Sequence, residues 1–188
     1  MFVRLAFCVV IMSVLLLLGC KQREQSQSSA QPVRETAGNV AEVINVEKRS
    51  EKVPNFSWKD NSGKTLFFDA VRGKVTLVNF WATWCGPCKR ELPDLVALSS
   101  ELANRDVKII GVSTDRGANA IEEVRTFVQE HGIPYQVIVS SEDLEEAFGN
   151  VNFLPTSFIV DADGKIVQTF VGPRTKTYFS DALLAVLK

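Results

Sequence analysis

The residue pair whose types and spacing point most directly to chemistry is Cys85 and Cys88, separated by Gly86 and Pro87. Two intervening residues allow the second sulfur to reach the first within one helical turn. The pair follows an apolar run and precedes leucines at helical spacing, so a strand is predicted to give way to a helix here. A thiolate at a helix N-terminus is stabilised by unpaired N–H groups, and in C-x-x-C sites its pKa can fall to about 7. The pattern therefore favours a redox-active dithiol.

Two other interpretations of the pair fit the sequence less well. A zinc site needs four ligands, and the chain offers one distant histidine, His131, beside the two cysteines. A structural disulfide that closes a loop of two residues adds little stability. The four cysteines, at positions 8, 20, 85 and 88, are too few for a disulfide-stapled scaffold. We therefore predict a dithiol site with no metal and no bound cofactor.

The wider sequence around the pair resembles a known family. The string Val78–Pro93 (VNFWATWCGPCKRELP), together with Leu154-Pro155-Thr156 before a later strand, is similar to the thioredoxin superfamily and to its membrane-anchored TlpA/ResA-like branch. The resemblance implies that Cys85 is the attacking thiol and Cys88 the buried resolving thiol. It also implies that Pro155 is a cis-proline that faces the pair.

Glu91 and Asn79 are the positions at which the resemblance bears on proton chemistry. In the ResA-like branch a glutamate three residues after the second cysteine tunes the dithiol, and Glu91 matches that position. The alternative is an ordinary exposed carboxylate on the helix. Thioredoxin has a buried aspartate in the preceding strand, and Asn79 stands there instead. Because an amide cannot relay a proton, the role of that aspartate does not transfer to Asn79.

The resemblance also indicates which residues face a substrate, and it favours a reductant over an oxidant. The predicted substrate-facing residues flank the dithiol or precede the later strand: Trp84, Gly86, Pro87, Leu154 and Thr156. The Gly-Pro pair between the cysteines matches thioredoxin, whose reduction potential of about −270 mV is that of a reductant. The expected reaction is therefore reduction of disulfide bonds.

Hydrophobic periodicity predicts the elements that position these residues. Apolar runs predict strands at 75–81, 107–112, 135–139, 157–160 and 165–171, and helical spacing predicts helices over 92–102, 121–128, 144–148 and 179–187. The order predicts an α/β fold, thioredoxin-like, with a mixed β-sheet flanked by helices. Turn residues 61–63 between two apolar segments add an N-terminal β-hairpin extension.

The N-terminal segment has the pattern of an export signal. Residues 1–19 hold an apolar stretch of about 14 residues, shorter than the roughly 20 needed to span a bilayer. Leu17-Leu18-Gly19-Cys20 resembles a bacterial lipobox, which predicts lipidation of Cys20; a short uncleaved anchor is the alternative. The polar residues 20–51 predict a flexible tether, with a short strand or helical turn over 40–46 left open. The predicted domain then covers residues 52–188.

Composition narrows the class of partner. The 188 residues are 46% hydrophobic with a formal net charge of −1, which excludes a disordered or collagen-like chain and gives no basic footprint for nucleic acid. Together with the resemblance, this predicts a lipid-anchored oxidoreductase in the bacterial cell envelope, facing the periplasm or the outside of the cytoplasmic membrane. Its expected partners are exported protein disulfides, apocytochrome c among them, and a membrane electron donor of the DsbD/CcdA type.

Two alternative functions remain open at the level of sequence. A thiol peroxidase is suggested by the segment Phe56–Trp58 and its hairpin, but the Pro-x-x-x-Thr-x-x-Cys setting of such enzymes is absent near Cys85. A non-enzymatic metallochaperone or adaptor would bind a soft metal through the dithiol. Such a site favours Met or His nearby, whereas the chain has one His and two Met, both Met within residues 1–19.

Overall fold

Strand β4 (Val75–Trp81) is central to the fold because all seven of its residues are buried. Val75, Leu77 and Trp81 belong to one apolar layer, and Val78 and Phe80 belong to a second layer on the opposite face. A strand buried on both faces reads as a continuous apolar run, which is why it was predictable. The structure, a computed structural model, describes residues 40–188.

Eight strands of the described residues form one mixed sheet in the order β3-β2-β1-β6-β5-β4-β7-β8. The bounds are β1 Val40–Glu47, β2 Asn55–Lys59, β3 Thr65–Phe67, β4 Val75–Trp81, β5 Val107–Ser113, β6 Gln136–Val139, β7 Thr156–Asp161 and β8 Ile166–Val171. Strands β1, β6, β5 and β4 are parallel to their neighbours within this group, whereas β7 pairs antiparallel with both β4 and β8. The predicted mixed sheet is confirmed.

Helices cover both faces of the sheet. They are α1 Phe68–Val71, α2 Gly86–Glu101, α3 Ala120–Glu130, α4 Glu142–Ala147 and α5 Lys176–Val186. Buried side chains of α2, α3 and α5 pack in the layer of Leu77, and those of α1 and α4 pack in the layer of Phe80. The α/β class and the β2–β3 hairpin are therefore confirmed. Within residues 40–188, no helix is long and apolar enough to cross a membrane.

Strand β1 corrects the boundary predicted for the tether. The tether was expected to reach residue 51, but Val40–Glu47 is a strand that pairs parallel with β6 and antiparallel with β2. Val40 and Ala41 are buried, one in each apolar layer. The short strand left open over 40–46 is therefore the correct alternative. The polar composition of the segment favoured the tether, because the stability of the strand comes from its two neighbours and not from its own sequence. The predicted signal peptide and Cys20 lie outside the described residues.

Candidate functional site

The loop after β4 brings Cys85 to the first turn of α2. Cys85 is the N-cap residue of the helix, and its Sγ accepts a hydrogen bond from the Cys88 backbone N–H at 3.2 Å. Pro87 lies in the first turn, where its missing N–H removes no helical hydrogen bond. The sulfur therefore lies at the positive end of the helix dipole, the environment that favours a thiolate once the disulfide is reduced.

The two cysteines are joined in the structure by a disulfide between Cys85 and Cys88. Each retains 5% of its surface exposed, but Cys85 lines an open groove whereas Cys88 does not. Cys85 is therefore the sulfur next to which a partner can lie. Within residues 40–188, no cluster of three or more His, Cys, Asp or Glu side chains could hold a metal ion.

Glu91 lies one helical turn beyond Cys88 and is buried, with 2% of its surface exposed. The alternative of an exposed helix carboxylate is therefore wrong. Its Oε1 accepts a hydrogen bond from the Arg174 backbone N–H at 2.8 Å, and its Oε2 accepts one from Asn79 Nδ2 at 3.1 Å. Burial raises the pKa of Glu91 from 4.5 to about 7, although both hydrogen bonds oppose that rise. The carboxyl can consequently exchange a proton near neutral pH.

Two partners of this carboxyl network were missed by sequence reasoning. Asn79 also donates to Ser157 Oγ at 2.8 Å, because β4 and β7 pair with these two residues opposite each other. Arg174 contributes a backbone N–H, which every residue except proline has, so its residue type could not have predicted this hydrogen bond. Tyr135 is buried nearby, and desolvation together with the charge of Glu91 raises the pKa of its hydroxyl. Strand register is the information that would have located Ser157.

The segment before β7 forms the second side of the site. The Leu154–Pro155 peptide bond is cis, the configuration that the resemblance implies. Thr156 is buried and its hydroxyl donates to the Phe153 carbonyl oxygen at 2.7 Å, so this side chain shapes the segment and does not face solvent. Leu154 is half-buried and reaches the groove.

An open groove of about 520 Å³ runs beside Cys85. It includes four of the five residues predicted to face a substrate: Trp84, Gly86, Pro87 and Leu154. It also includes residues that sequence reasoning did not select: Thr114, Arg116, Glu142, Glu145, Val151, Asn152 and Phe153. A second groove of about 470 Å³ lies along α3 and contains no cysteine, so the first groove is the candidate binding surface.

The groove combines exposed aromatic rings with a charged wall. Trp84 and Phe153 each leave 69% of their surface exposed and line the same groove, and exposed apolar side chains that cluster mark interaction sites. Also in the lining, Arg116 forms an ion pair with Glu145 and donates to the Ser140 carbonyl oxygen. Glu142 adds a further carboxylate to the lining. The surface thus combines polar and apolar groups in similar measure, with a slight excess of negative charge.

Comparison with known proteins finds relatives that are similar in sequence over most of the described residues. A sequence model of the family described as Redoxin matches residues 48–186. The thiol-disulfide oxidoreductase ResA of Bacillus thuringiensis (strain Al Hakam) is 34% identical over 126 residues, which cover 67% of this chain and 71% of ResA.

Solved structures give the same result. A thiol:disulfide interchange protein of the thioredoxin family from Chlorobium tepidum TLS matches with a TM-score of 0.65 and 32% identity, over 76% of this chain and 99% of that one. The exposed lipoprotein thioredoxin Etrx1 of Streptococcus pneumoniae strain TIGR4 matches with a TM-score of 0.59 and 25% identity, over 70% and 98% of the two chains. The predicted thioredoxin-like fold is therefore confirmed.

Proposed function

Because the chain belongs to the Redoxin family and is a thiol-disulfide oxidoreductase of the ResA type, we propose that it reduces disulfide bonds of exported proteins while anchored by a lipid outside the cytoplasmic membrane. The observation that carries this proposal is the Cys85–Cys88 pair at the N-terminus of α2, beside an open groove and one helical turn from buried Glu91.

The proposed reaction assigns a different step to each cysteine. The Cys85 thiolate attacks one sulfur of the substrate disulfide, forms a mixed disulfide and releases the other substrate sulfur, which takes up a proton. Cys88 then loses its proton and attacks Cys85 Sγ, which releases the second substrate thiol. The substrate gains two electrons and two protons, and the Cys85–Cys88 disulfide is formed. With a pKa of about 7, Glu91 is suited to accept the Cys88 proton in this second step.

The groove supports a protein substrate in an extended conformation. The exposed rings of Trp84 and Phe153 line the same groove as Cys85 and offer apolar contacts there. The backbone at Leu154, beside Pro155, is the proposed edge with which the substrate chain pairs. Gly86 leaves room for the substrate backbone next to the attacking sulfur. Exported proteins with cysteine pairs, including apocytochrome c in cytochrome c maturation, are the proposed substrates.

Anchoring and electron supply complete the proposal. Cys20 is the proposed lipidation site, and the solved relative Etrx1 is itself described as an exposed lipoprotein. A reductant outside the cytoplasm must be re-reduced by electrons from inside the cell, since an oxidising compartment does not supply them. A membrane protein of the DsbD/CcdA type is the proposed donor, and it would reduce the Cys85–Cys88 disulfide with two electrons.

Mixed-disulfide trapping in the native host tests the substrate class. A Cys88→Ala variant is expected to accumulate covalent adducts with exported proteins through Cys85, because the resolving thiol is missing. Cys85→Ala is the matched control and should accumulate none. Adducts should dissolve on treatment with dithiothreitol, and mass spectrometry should identify cysteine-containing exported proteins among them.

Two results would contradict the proposal. Equal adducts in the two variants would show that Cys85 is not the attacking thiol. Hydroperoxide reduction by the full chain, purified in detergent, at rates above its reduction of insulin disulfides would instead support the thiol peroxidase.

A further inference from the structure

Asp115 is a buried carboxylate, with 3% of its surface exposed, in the segment that follows β5. Among the ion pairs within residues 40–188, none involves Asp115, and its neighbour Arg116 pairs with Glu145 instead. A buried carboxylate without a cation is costly unless hydrogen bonds replace its hydration. The identity of those hydrogen-bond donors therefore indicates what the residue is for.

The donors come mainly from the loop that carries Cys85. Asp115 Oδ2 accepts from the Thr83 backbone N–H at 2.9 Å, and its Oδ1 accepts from Thr83 Oγ1 at 2.5 Å. Ser113 Oγ donates to Oδ2 at 2.7 Å and so orients the carboxylate. Hydrogen bonds to an ionised acceptor are among the strong ones in proteins. Both the backbone and the side chain of Thr83 are thereby held by the segment that follows β5.

Thr83 precedes Cys85 by two residues, so its position controls where the sulfur lies. The start of the loop is fixed by the Thr114 N–H, which donates to the Trp81 carbonyl oxygen at 2.8 Å. Its end is fixed by the Cys85 N–H, which donates to the Ala82 carbonyl oxygen at 3.1 Å. Asp115 holds the residue between these two points.

A carboxylate is the group that fits all three donors. An amide of the same shape would present an N–H₂ group to one of them, and an alanine would leave all three without their partner. We propose that Asp115 is a positioning residue: through Thr83 it holds Cys85 at the N-terminus of α2 and at the edge of the groove. The proposal rests on the role of Cys85 as the attacking thiol proposed above.

The test compares four variants of the full chain purified in detergent: Asp115→Ala, Asp115→Asn, Thr83→Val and Thr83→Ser. For each reduced protein, the rate of Cys85 alkylation by iodoacetamide is followed from pH 5 to pH 9 by mass mapping of the Cys85 peptide. Insulin disulfide reduction and unfolding by urea are measured in parallel. The pH profile separates positioning from stability, because loss of stability alone does not move the titration of a thiol in the folded protein.

We expect Asp115→Ala to lower both the alkylation rate at pH 7 and insulin reduction about ten-fold, because Cys85 is no longer held against the helix N-terminus. Thr83→Val, which keeps the Asp115 side chain but removes the Thr83 hydroxyl, should lower both about five-fold. Thr83→Ser should restore both to within two-fold of the unmodified protein, since the hydroxyl returns. Asp115→Asn should fall between Asp115→Ala and the unmodified protein, because part of the hydrogen bonding survives.

Thr76→Val is the matched control. Thr76 is fully buried in the same strand as Trp81, and its Oγ1 accepts a hydrogen bond from the Gly73 N–H at 3.2 Å. Loss of this hydrogen bond should lower the urea concentration at which the protein unfolds, without changing the pH profile of Cys85 alkylation. If Asp115→Ala and Thr83→Val behave like Thr76→Val, Asp115 is merely structural and the proposal fails. If Asp115→Ala does not fold, the comparison of Thr83→Val with Thr83→Ser tests the proposal by itself. A Cys85→Ala variant that keeps Asp115 and still reduces insulin fully would overturn the proposed role of Cys85, which is a different result from failure of the Asp115 proposal.

Discussion

At the scale of single residues, Glu91 shows how burial sets the chemistry of the site. It lies on the same face of α2 as Cys88, and the strand residue opposite it is Asn79 and not an acid. The buried acid thus lies on the helix, in contrast with thioredoxin, where the strand carries it. Because hydrogen bonds from Asn79 and Arg174 hold it, the carboxyl has a defined position relative to the dithiol.

Glu91→Gln is expected to lower the pKa of the reduced dithiol by about 0.5–1 unit, because a neighbouring negative charge opposes ionisation of a thiol. The pH profile of iodoacetamide alkylation measures this change. Glu101→Gln is the matched control, because Glu101 lies at the far end of the same helix and pairs with Lys176. An unchanged profile in Glu91→Gln would show that the carboxyl does not act on the thiols.

The same carboxyl should make stability depend on pH. Its pKa is about 7 in the folded protein against 4.5 ordinarily, so between these values the folded state binds more protons than the unfolded state. The free energy of unfolding should therefore fall as pH rises from 4.5 through 7, by roughly 3 kcal/mol at most. Urea unfolding of the disulfide form, in which the thiols do not titrate, should show this slope flattened in Glu91→Gln. Parallel slopes in the two proteins would contradict the assigned pKa.

At the scale of elements, β1 joins the N-terminal hairpin to the central sheet. It lies between β2 and β6, so the order of the sheet would be interrupted without it. Val40 pairs with Val137 and packs in the layer that contains Leu77 and Cys88. The strand therefore supports the same apolar layer that surrounds the dithiol.

Val40→Asp should lower the free energy of unfolding by about 2–4 kcal/mol, because it places an unpaired charge in the apolar layer. Ile44→Asp, on the same strand, is the control and should cost little, since Ile44 is 51% exposed. Urea titration followed by tryptophan fluorescence compares the two variants. Similar midpoints would show that β1 contributes little to the stability of the sheet.

At the scale of the whole molecule, charge bears on how the protein reaches a membrane. The formal net charge of −1 provides no overall electrostatic attraction to anionic lipids. Attachment would then depend on the lipid that the lipobox resemblance predicts at Cys20. A single acyl chain gives marginal binding, so a stable anchor needs more than one chain.

Cys20→Ser should abolish incorporation of radiolabelled fatty acid into the protein in the native host. Cys8→Ser is the matched control, because Cys8 lies within the same apolar segment but outside the lipobox. Labelling of immunoprecipitated protein, analysed on a gel, distinguishes the two variants. Undiminished labelling of Cys20→Ser would exclude this cysteine as the lipidation site.

The amino-acid sequence by itself determined the order of elements from β4 onward and the place of the dithiol. Apolar periodicity is a local property, so β4, α2 and the β7–β8 hairpin were predictable from their own residues. The cysteine pair was predictable for the same reason, because its chemistry depends on residues next to it in the chain. The family resemblance then supplied the roles proposed for Cys85, Cys88 and Glu91.

The tertiary structure alone decided which distant residues meet. The register of β4 with β7 puts Ser157 beside Asn79, and the end of β5 brings Asp115 to Thr83. The strand β1 likewise exists because two partner strands pair with it. Such contacts join residues far apart in the chain, and their hydrogen bonds depend on a register that local composition does not encode. The contacts of Ser157 and Asp115 were therefore beyond prediction from the sequence, and a strand at β1 was no more than one alternative for its segment.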